Sequence, residues 1–238
     1  MNRQLDLKDV NRRFTSTGAA EIIRWAHEEF SDELVMTSGF GDRSAFSLHF
    51  VTAIIPNIPV IALDPRFFFP ETREFMEELK KRFKLNLKIY YASMSPEEME
   101  ISWGRYWENG HADGHAHDQT QMWQYNWIRK EEPLRRAFKQ LEARAWIAGV
   151  RSYQTANRQE LNVVEHRDDG VYKIHPFLTM TEEDVTAYFI EHNLPYHPLV
   201  AQDYDSIGDE LLTKPGKGRE GRSALGPGTE CGLHCKSK

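Results

Sequence analysis

Leu34-Val35-Met36-Thr37-Ser38-Gly39-Phe40-Gly41-Asp42-Arg43-Ser44 leads from a short apolar run into a glycine-containing turn, after which Ala45, Leu48, Val51, Ile54 and Ile55 recur at helical spacing. The stretch reads as a strand, a turn and a helix. A second run, Val60-Ile61-Ala62-Leu63-Asp64, lies between Pro59 and Pro65 and precedes a segment with Phe75, Leu79 and Phe83 on one helical face. Leu87-Lys88-Ile89-Tyr90-Tyr91 and Ala145-Trp146-Ile147-Ala148-Gly149 repeat the pattern, with helical stretches expected near 97–107 and 132–142. Repeated strand-helix units predict an α/β chain whose mainly parallel sheet carries helices on both faces. Ligands of such sheets lie beyond the carboxyl ends of the strands, so the turn 38–44 is the first place to look for a site. Its glycines permit close backbone approach, its hydroxyls donate, and the N–H groups opening the next helix favour an anion. A Gly-Ser turn alone is more often an ordinary strand-to-helix connection. It lacks the Gly-Lys-Ser/Thr ending of a Walker loop, which disfavours a kinase or an ordinary ATPase.

The 238 residues can bury one substantial core, and one α/β domain with a tail fits better than two small domains. A net charge of −6 gives no global basic field, so no nucleic-acid partner is expected and any anion site must be local. The N-terminus lacks the apolar core of a signal peptide, and no stretch is long and apolar enough to span a bilayer, so no membrane partner is expected. Two cysteines make no disulfide framework, and a cytoplasmic location is expected. Both cysteines stand in Glu230-Cys231-Gly232-Leu233-His234-Cys235-Lys236-Ser237-Lys238, beyond Gly226-Pro227-Gly228, where no core can be built. Such a tail suits a delivered nucleophile, and composition alone fits an incidental terminal cysteine equally well. His111, Asp113, His115, His117 and Asp118 offer metal-ligand residue types, but their Gly-rich setting reads more simply as an exposed loop, and no metal is expected. Trp103, Tyr106, Trp107, Trp123, Tyr125 and Trp127 are expected to serve as core or subunit contacts.

Glu230-Cys231-Gly232-Leu233-His234 resembles the C-terminal signature of the assimilatory adenylylsulfate and phosphoadenylylsulfate reductases. Thr37-Ser38-Gly39-Phe40-Gly41 is similar to the modified pyrophosphate loop of that family, itself similar to the loop of ATP pyrophosphatases. Asp64 and Phe69-Pro70-Glu71-Thr72 resemble its Asp-Thr-Gly and Phe-Pro-Glu-Thr elements, with Pro65-Arg66 in place of Thr-Gly. Arg129-Lys130-Glu131-Glu132-Pro133-Leu134 resembles its Lys-Val-Glu-Pro-Leu segment, with Glu131 in place of Val. Gly149-Val150-Arg151-Ser152-Tyr153-Gln154-Thr155-Ala156-Asn157-Arg158, Tyr196-His197-Pro198-Leu199 and Tyr204-Asp205-Ser206-Ile207-Gly208-Asp209 also match its pattern in order. Thr213-Lys214-Pro215 and Arg219-Glu220-Gly221-Arg222 then lead towards the final cysteines. The resemblance spans about residues 34 to 235.

The resemblance implies a fold similar to the adenine nucleotide alpha hydrolases, a Rossmann-like sheet. The nucleotide-binding domain is then expected over 1–205, with a flexible arm over 206–238. It implies a substrate site of Ser38, Gly39, Phe40, Gly41, Asp64, Lys130, Arg151, Gln154 and Arg158, joined by Lys214, Arg219 and Arg222 of the arm. Cys231 would be the nucleophile, with His234 lowering its pKa. Relatives that reduce adenylylsulfate usually carry an iron–sulfur cluster, whose thiolates would fall at Tyr125, Asn126, Asp209 and Leu212, where this chain has none. No bound cofactor is therefore expected. The implied activity is thioredoxin-dependent reduction of 3′-phosphoadenylylsulfate to sulfite and adenosine 3′,5′-bisphosphate through a Cys231 thiosulfonate, in assimilatory sulfate reduction. Thioredoxin or glutaredoxin is the implied electron donor, and a homodimer the implied assembly. Three alternatives stay open: a cluster-free adenylylsulfate reductase, a pyrophosphatase-type adenylating enzyme, and a nucleotide-binding protein without turnover.

Overall fold

The computed structural model describes residues 4–103, 124 and 126–225. Cys231, His234, Cys235, the histidine-rich segment 109–118, Tyr106, Trp107, Trp123 and Tyr125 lie outside the described residues. Six strands form one sheet: β1 (Leu34–Ser38), β2 (Pro59–Asp64), β3 (Asn86–Tyr91), β4 (Ala145–Ile147), β5 (Val164–His166) and β6 (Tyr172–Ile174). Their order is β3-β2-β1-β4-β6-β5, parallel throughout except for β5, which runs antiparallel to β6. The helices described are α1 (Leu7–Arg13), α2 (Ala19–Phe30), α3 (Ser44–Ile54), α4 (Pro70–Phe83), α5 (Pro96–Trp103), α6 (Glu132–Gln140), α7 (Ala156–Gln159) and α8 (Glu182–Glu191).

Strand alternation explains why both faces are covered. Leu34 and Met36 of β1, Val60 and Ala62 of β2, and Ala145 and Ile147 of β4 point into a core built with α2, α3, α4 and α8. Their neighbours Val35, Ile61 and Trp146 point the other way, against Leu134, Ala137 and Phe138 of α6. Each inner strand buries side chains on both faces, which is why the strands read as continuous apolar runs rather than alternating ones. Local chemistry fixes the helix ends. Asp6 caps α1 by accepting from the N–H groups of Lys8 and Asp9, Pro70 opens α4, and Thr181 and Asp184 form a reciprocal capping box at α8.

The expected strand-helix units are present, with β4 ending at Ile147 and α6 at Gln140. The part of the stretch near 97–107 that is described forms α5. The β5–β6 hairpin and helices α1, α2 and α8 carry no counterpart in the sequence reading. Beyond residue 205 the chain folds back across the carboxyl ends of β1 and β2. The Glu210 N–H donates to the Phe67 carbonyl at 2.8 Å, and Ile207 packs with Phe69 and Leu199.

Two histidines, His175 and His197, are buried in the fold. In His197, Nδ1 accepts from the Leu199 N–H at 3.2 Å, so Nε2 carries the proton and donates to the Thr72 hydroxyl at 3.0 Å. Burial pushes His197 down to about 4 and His175 down to about 3. Both are therefore neutral in the folded chain at pH 6 and protonate more readily when it unfolds. Their contribution to stability is present above the unfolded value near 6.5 and is lost as pH falls towards the folded values. We expect unfolding free energy to drop on the order of 3 kcal/mol between pH 7 and pH 4 from His197 alone. Urea melts of the wild type and of His197→Gln measure this: the variant should be less stable at pH 7 and show a flatter pH dependence.

Candidate functional site

In the strand order, β2 and β4 flank β1 on opposite sides, so the connections leaving β1 and β4 diverge and open a crevice between them. The turn 38–44 and the segment 149–158 form its walls. Three adjoining cavities make up the crevice, and consecutive ones share lining residues. Asp42, Arg43, Arg151 and Gln154 join the first to the second, and Thr37, Ser38 and Gly39 join the second to the third.

The β1 turn is held by an unusual residue. Phe40 sits at φ 50°, a left-handed conformation that disfavours most side chains, yet its ring is fully buried in the core among the helices on β1's face. Its N–H donates to the Ser38 hydroxyl at 3.2 Å, which closes the turn. Gly41 is required by proximity: a Cβ there would lie 3.0 Å from the Ile207 carbonyl oxygen. The returning segment thus rests directly on the turn.

On the opposite wall, Arg151 and Arg158 are buried, with 4% and 5% of their surfaces exposed. The Gln154 side-chain oxygen accepts from the Arg151 backbone N–H at 3.1 Å and from the Arg158 guanidinium, so a single amide ties the Arg158 side chain to the backbone at Arg151. Arg151 Nη1 donates to the Gly149 carbonyl at 2.9 Å, while its buried Nε finds no acceptor among the described residues. Burial lowers the Arg151 pKa, against the pull of Tyr153 and Asp42. Burial likewise raises the Asp42 carboxyl above its ordinary range, although Arg151, Arg43 and Arg219 oppose it. The wall is cationic and buried, and Asp42 is the carboxylate whose charge pulls on Arg151. An anion entering here would gain charge-assisted hydrogen bonds from guanidinium groups already fixed in place.

The third cavity adds Lys130 and Arg222. Lys130 Nζ lies 3.7 Å from the Asp209 carboxylate, with 11% and 6% of the two side chains exposed. The Arg222 guanidinium packs over Gly208, where any side chain would collide with it, and its buried Nε has no acceptor among the described residues. Arg219 lines the first cavity. Leu63, Pro65 and Phe68 give the third cavity an apolar side beside its charged one.

Of the residues expected from the sequence, Ser38, Gly39, Lys130, Arg151, Gln154, Arg158, Arg219 and Arg222 line this crevice. Phe40 and Gly41 shape the turn from behind. Asp64 faces inward: it accepts from the Arg66 N–H at 2.6 Å and from Arg73 Nη1 at 2.6 Å, and it lines none of the three cavities. Arg66 itself stands at φ 67°, the conformation glycine adopts most readily, so the loop keeps a glycine-like bend with an arginine in it. The Lys214 side chain is exposed outside the crevice, and its backbone N–H donates to the Gly221 carbonyl at 2.9 Å. Sequence reasoning passed over Asp42, Arg43, Tyr153, Glu182 and Ser206. Asp42 and Arg43 follow Gly41 within the quoted turn and could have been found by extending the strand-end rule by two residues. Arg43 is held 3.5 Å from Glu182 of α8, a contact across 139 positions that no local pattern announces.

A model of the phosphoadenosine phosphosulfate reductase domain matches residues 33–215. Phosphoadenosine 5′-phosphosulfate reductase of a Synechococcus strain is 40% identical over 96% of this chain and 97% of its own. The protein of the same name from Salmonella choleraesuis is 40% identical over 98% of this chain and 93% of its own. Among solved structures, phosphoadenylyl-sulfate reductase from Candida auris, a phosphate complex, superposes with a TM-score of 0.71 at 25% identity, covering 88% of this chain and 98% of its own. Candida glabrata FMN adenylyltransferase shares the fold alone, with a TM-score of 0.60 at 16% identity over 87% of this chain and 65% of its own. With the match covering nearly the full length of both chains, the protein belongs to the phosphoadenosine phosphosulfate reductase family.

Proposed function

We propose that the protein reduces 3′-phosphoadenylylsulfate to sulfite and adenosine 3′,5′-bisphosphate for sulfate assimilation. The observation that carries this reading is the crevice between β1 and β4, where Arg151, held by the Gly149 carbonyl, and Arg158, held by Gln154, are buried opposite the Ser38-Gly39 turn. A polyanionic nucleotide would accept charge-assisted hydrogen bonds from those guanidinium groups. The apolar side of the third cavity, formed by Leu63, Pro65 and Phe68, suits a base, and the cations lining the other cavities suit phosphate and sulfate groups.

The reaction then proceeds in two displacements. The Cys231 thiolate attacks the sulfonate sulfur, the bond from that sulfur to the phosphate oxygen breaks, and adenosine 3′,5′-bisphosphate leaves with the electron pair. Cations around the phosphates stabilise the departing charge. The product on the enzyme is a Cys231 thiosulfonate. A thiolate of a reduced dithiol protein, thioredoxin or glutaredoxin, attacks the Cys231 sulfur and releases sulfite; its second thiol resolves the mixed disulfide and regenerates Cys231. Two electrons pass from the dithiol to sulfur. The chain's two cysteines are too few for a four-thiolate cluster, so the electrons have no such route through the protein. The same reading makes the enzyme a homodimer of the cytoplasm.

Sulfite release from 3′-phosphoadenylylsulfate with reduced thioredoxin tests the proposal, with adenylylsulfate assayed in parallel. Turnover of the phosphorylated nucleotide is expected, and Cys231→Ser should abolish it. Preference for adenylylsulfate would move the protein to a cluster-free adenylylsulfate reductase, and release of pyrophosphate from ATP would point to an adenylating enzyme. Cys235 stands four positions after Cys231 and could in principle resolve the thiosulfonate internally. Resolution by the external dithiol predicts that Cys235→Ser keeps full turnover, and a large loss in that variant would contradict it.

A further inference from the structure

Trp127–Glu131 forms a π-helical turn that runs straight into α6. Such wide turns re-aim side chains and often stand next to functional sites. Here three successive residues serve three different environments. Arg129 is fully buried, with Nε 2.8 Å from the Met99 sulfur and its guanidinium 4.1 Å from the Phe67 ring centre. Lys130 reaches the crevice, where Asp209 meets its ammonium. Glu131 points to neither place and joins a cluster of charges from the β5–β6 hairpin.

In that cluster the Glu131 carboxylate accepts from Arg167 Nη2 at 2.9 Å and lies 3.5 Å from Arg135 Nε. Arg167 is gripped by Asp169 through Nε at 3.1 Å and Nη2 at 3.0 Å, and Arg135 donates to Asp168 at 2.9 Å. Arg167 also lies 5.7 Å above the ring of Trp146 in β4, so the cluster is seated on the sheet itself. Arg167 and Glu131 expose only 11% and 20% of their side chains, which shields the pair from salt. Burial opposes the Arg167 charge, but its bonds to Asp169 and the nearby Glu131 outweigh it and raise the pKa. This is a fixed ionic anchor directly beside a residue whose four-carbon stem has no planar fork to orient it.

We propose that Glu131 is a positioning residue. Its ionic anchorage to Arg167 and Arg135, both held in turn by Asp169, locks the π turn and so holds the neighbouring Lys130 in the crevice for an anionic group of the nucleotide. The inference rests on the crevice being the nucleotide site. Glu131 does not touch the ligand and acts through Lys130.

A double-mutant cycle on binding of adenosine 3′,5′-bisphosphate, measured by calorimetry, tests it. Glu131→Gln keeps the shape but removes the charge, and should weaken binding about fivefold, within the range of coupling between contacting residues. Lys130→Met should weaken it further, and the double variant should bind no worse than Lys130→Met alone. Glu131→Asp, which restores the carboxylate, should recover part of the loss. A purely structural role would lower the melting temperature of Glu131→Gln and leave the two losses additive, which overturns the proposal, as does binding within twofold of wild type. If Glu131→Gln does not fold, Asp169→Asn loosens the same cluster from its far side and should show the same non-additivity with Lys130→Met. Wild-type protein that binds no bisphosphate overturns the nucleotide reading of the crevice itself. Wild-type binding with an additive cycle overturns the positioning role alone.

Discussion

Two arginines buried side by side at the carboxyl end of β4 set the terms for the rest of this structure. A guanidinium taken out of water loses much of its hydration, and a second cation nearby adds repulsion. Asp42 is the carboxylate that most nearly compensates Arg151, and Arg151 still retains a buried N–H without an acceptor among the described residues. The fold tolerates this because the Gly149 carbonyl holds Arg151, Gln154 ties Arg158 to the backbone at Arg151, and the sheet supplies a rigid base. On the proposed reading, an anionic nucleotide relieves the imbalance at Arg151.

The sheet turns that local imbalance into a site. Because β1 is flanked by β2 and β4, the turn that follows it opens away from the one that follows β4, and the arginines face a gap instead of a packed layer. The segment after residue 205 closes one side of that gap, resting on Gly41 and bridging to the loop after β2. It also brings Asp209, Arg219 and Arg222 to the same crevice. Lys130 enters from the π turn that leads into α6. Cations from four separate parts of the sequence therefore converge, which is how a chain with a net charge of −6 assembles a strongly cationic pocket.

How much of this could be read in the sequence depended on the range of the interactions. Strands β1, β2 and β4 were legible because each is a compact apolar run followed closely by Gly or Pro, and β3 because Leu87-Lys88-Ile89-Tyr90-Tyr91 repeats the same rhythm. The β5–β6 hairpin was not, because Val164-Glu165-His166 and Tyr172-Lys173-Ile174 are three-residue strands defined by pairing rather than by pattern. Arg151, Gln154 and Arg158 were legible only through the resemblance of 149–158 to the family pattern, because nothing local in the segment announces that the two arginines are buried. Asp64 illustrates the limit: the resemblance implies a place in the site, whereas here its partners Arg66 and Arg73 make it the brace of a loop. The two departures from the family pattern also acquire physical roles. Arg66 takes up a glycine-like bend and lies 5.2 Å from the Tyr91 ring, and Glu131 binds Arg167 of a hairpin 36 residues away.

The central claim is that this crevice presents an activated sulfate to Cys231. Intact mass of the reduced protein, taken after incubation with 3′-phosphoadenylylsulfate in the absence of any dithiol protein and followed by peptide mapping, addresses it most directly. The account predicts one added sulfonate, located on Cys231. An unmodified protein, or a sulfonate found on Cys235 instead, would contradict it.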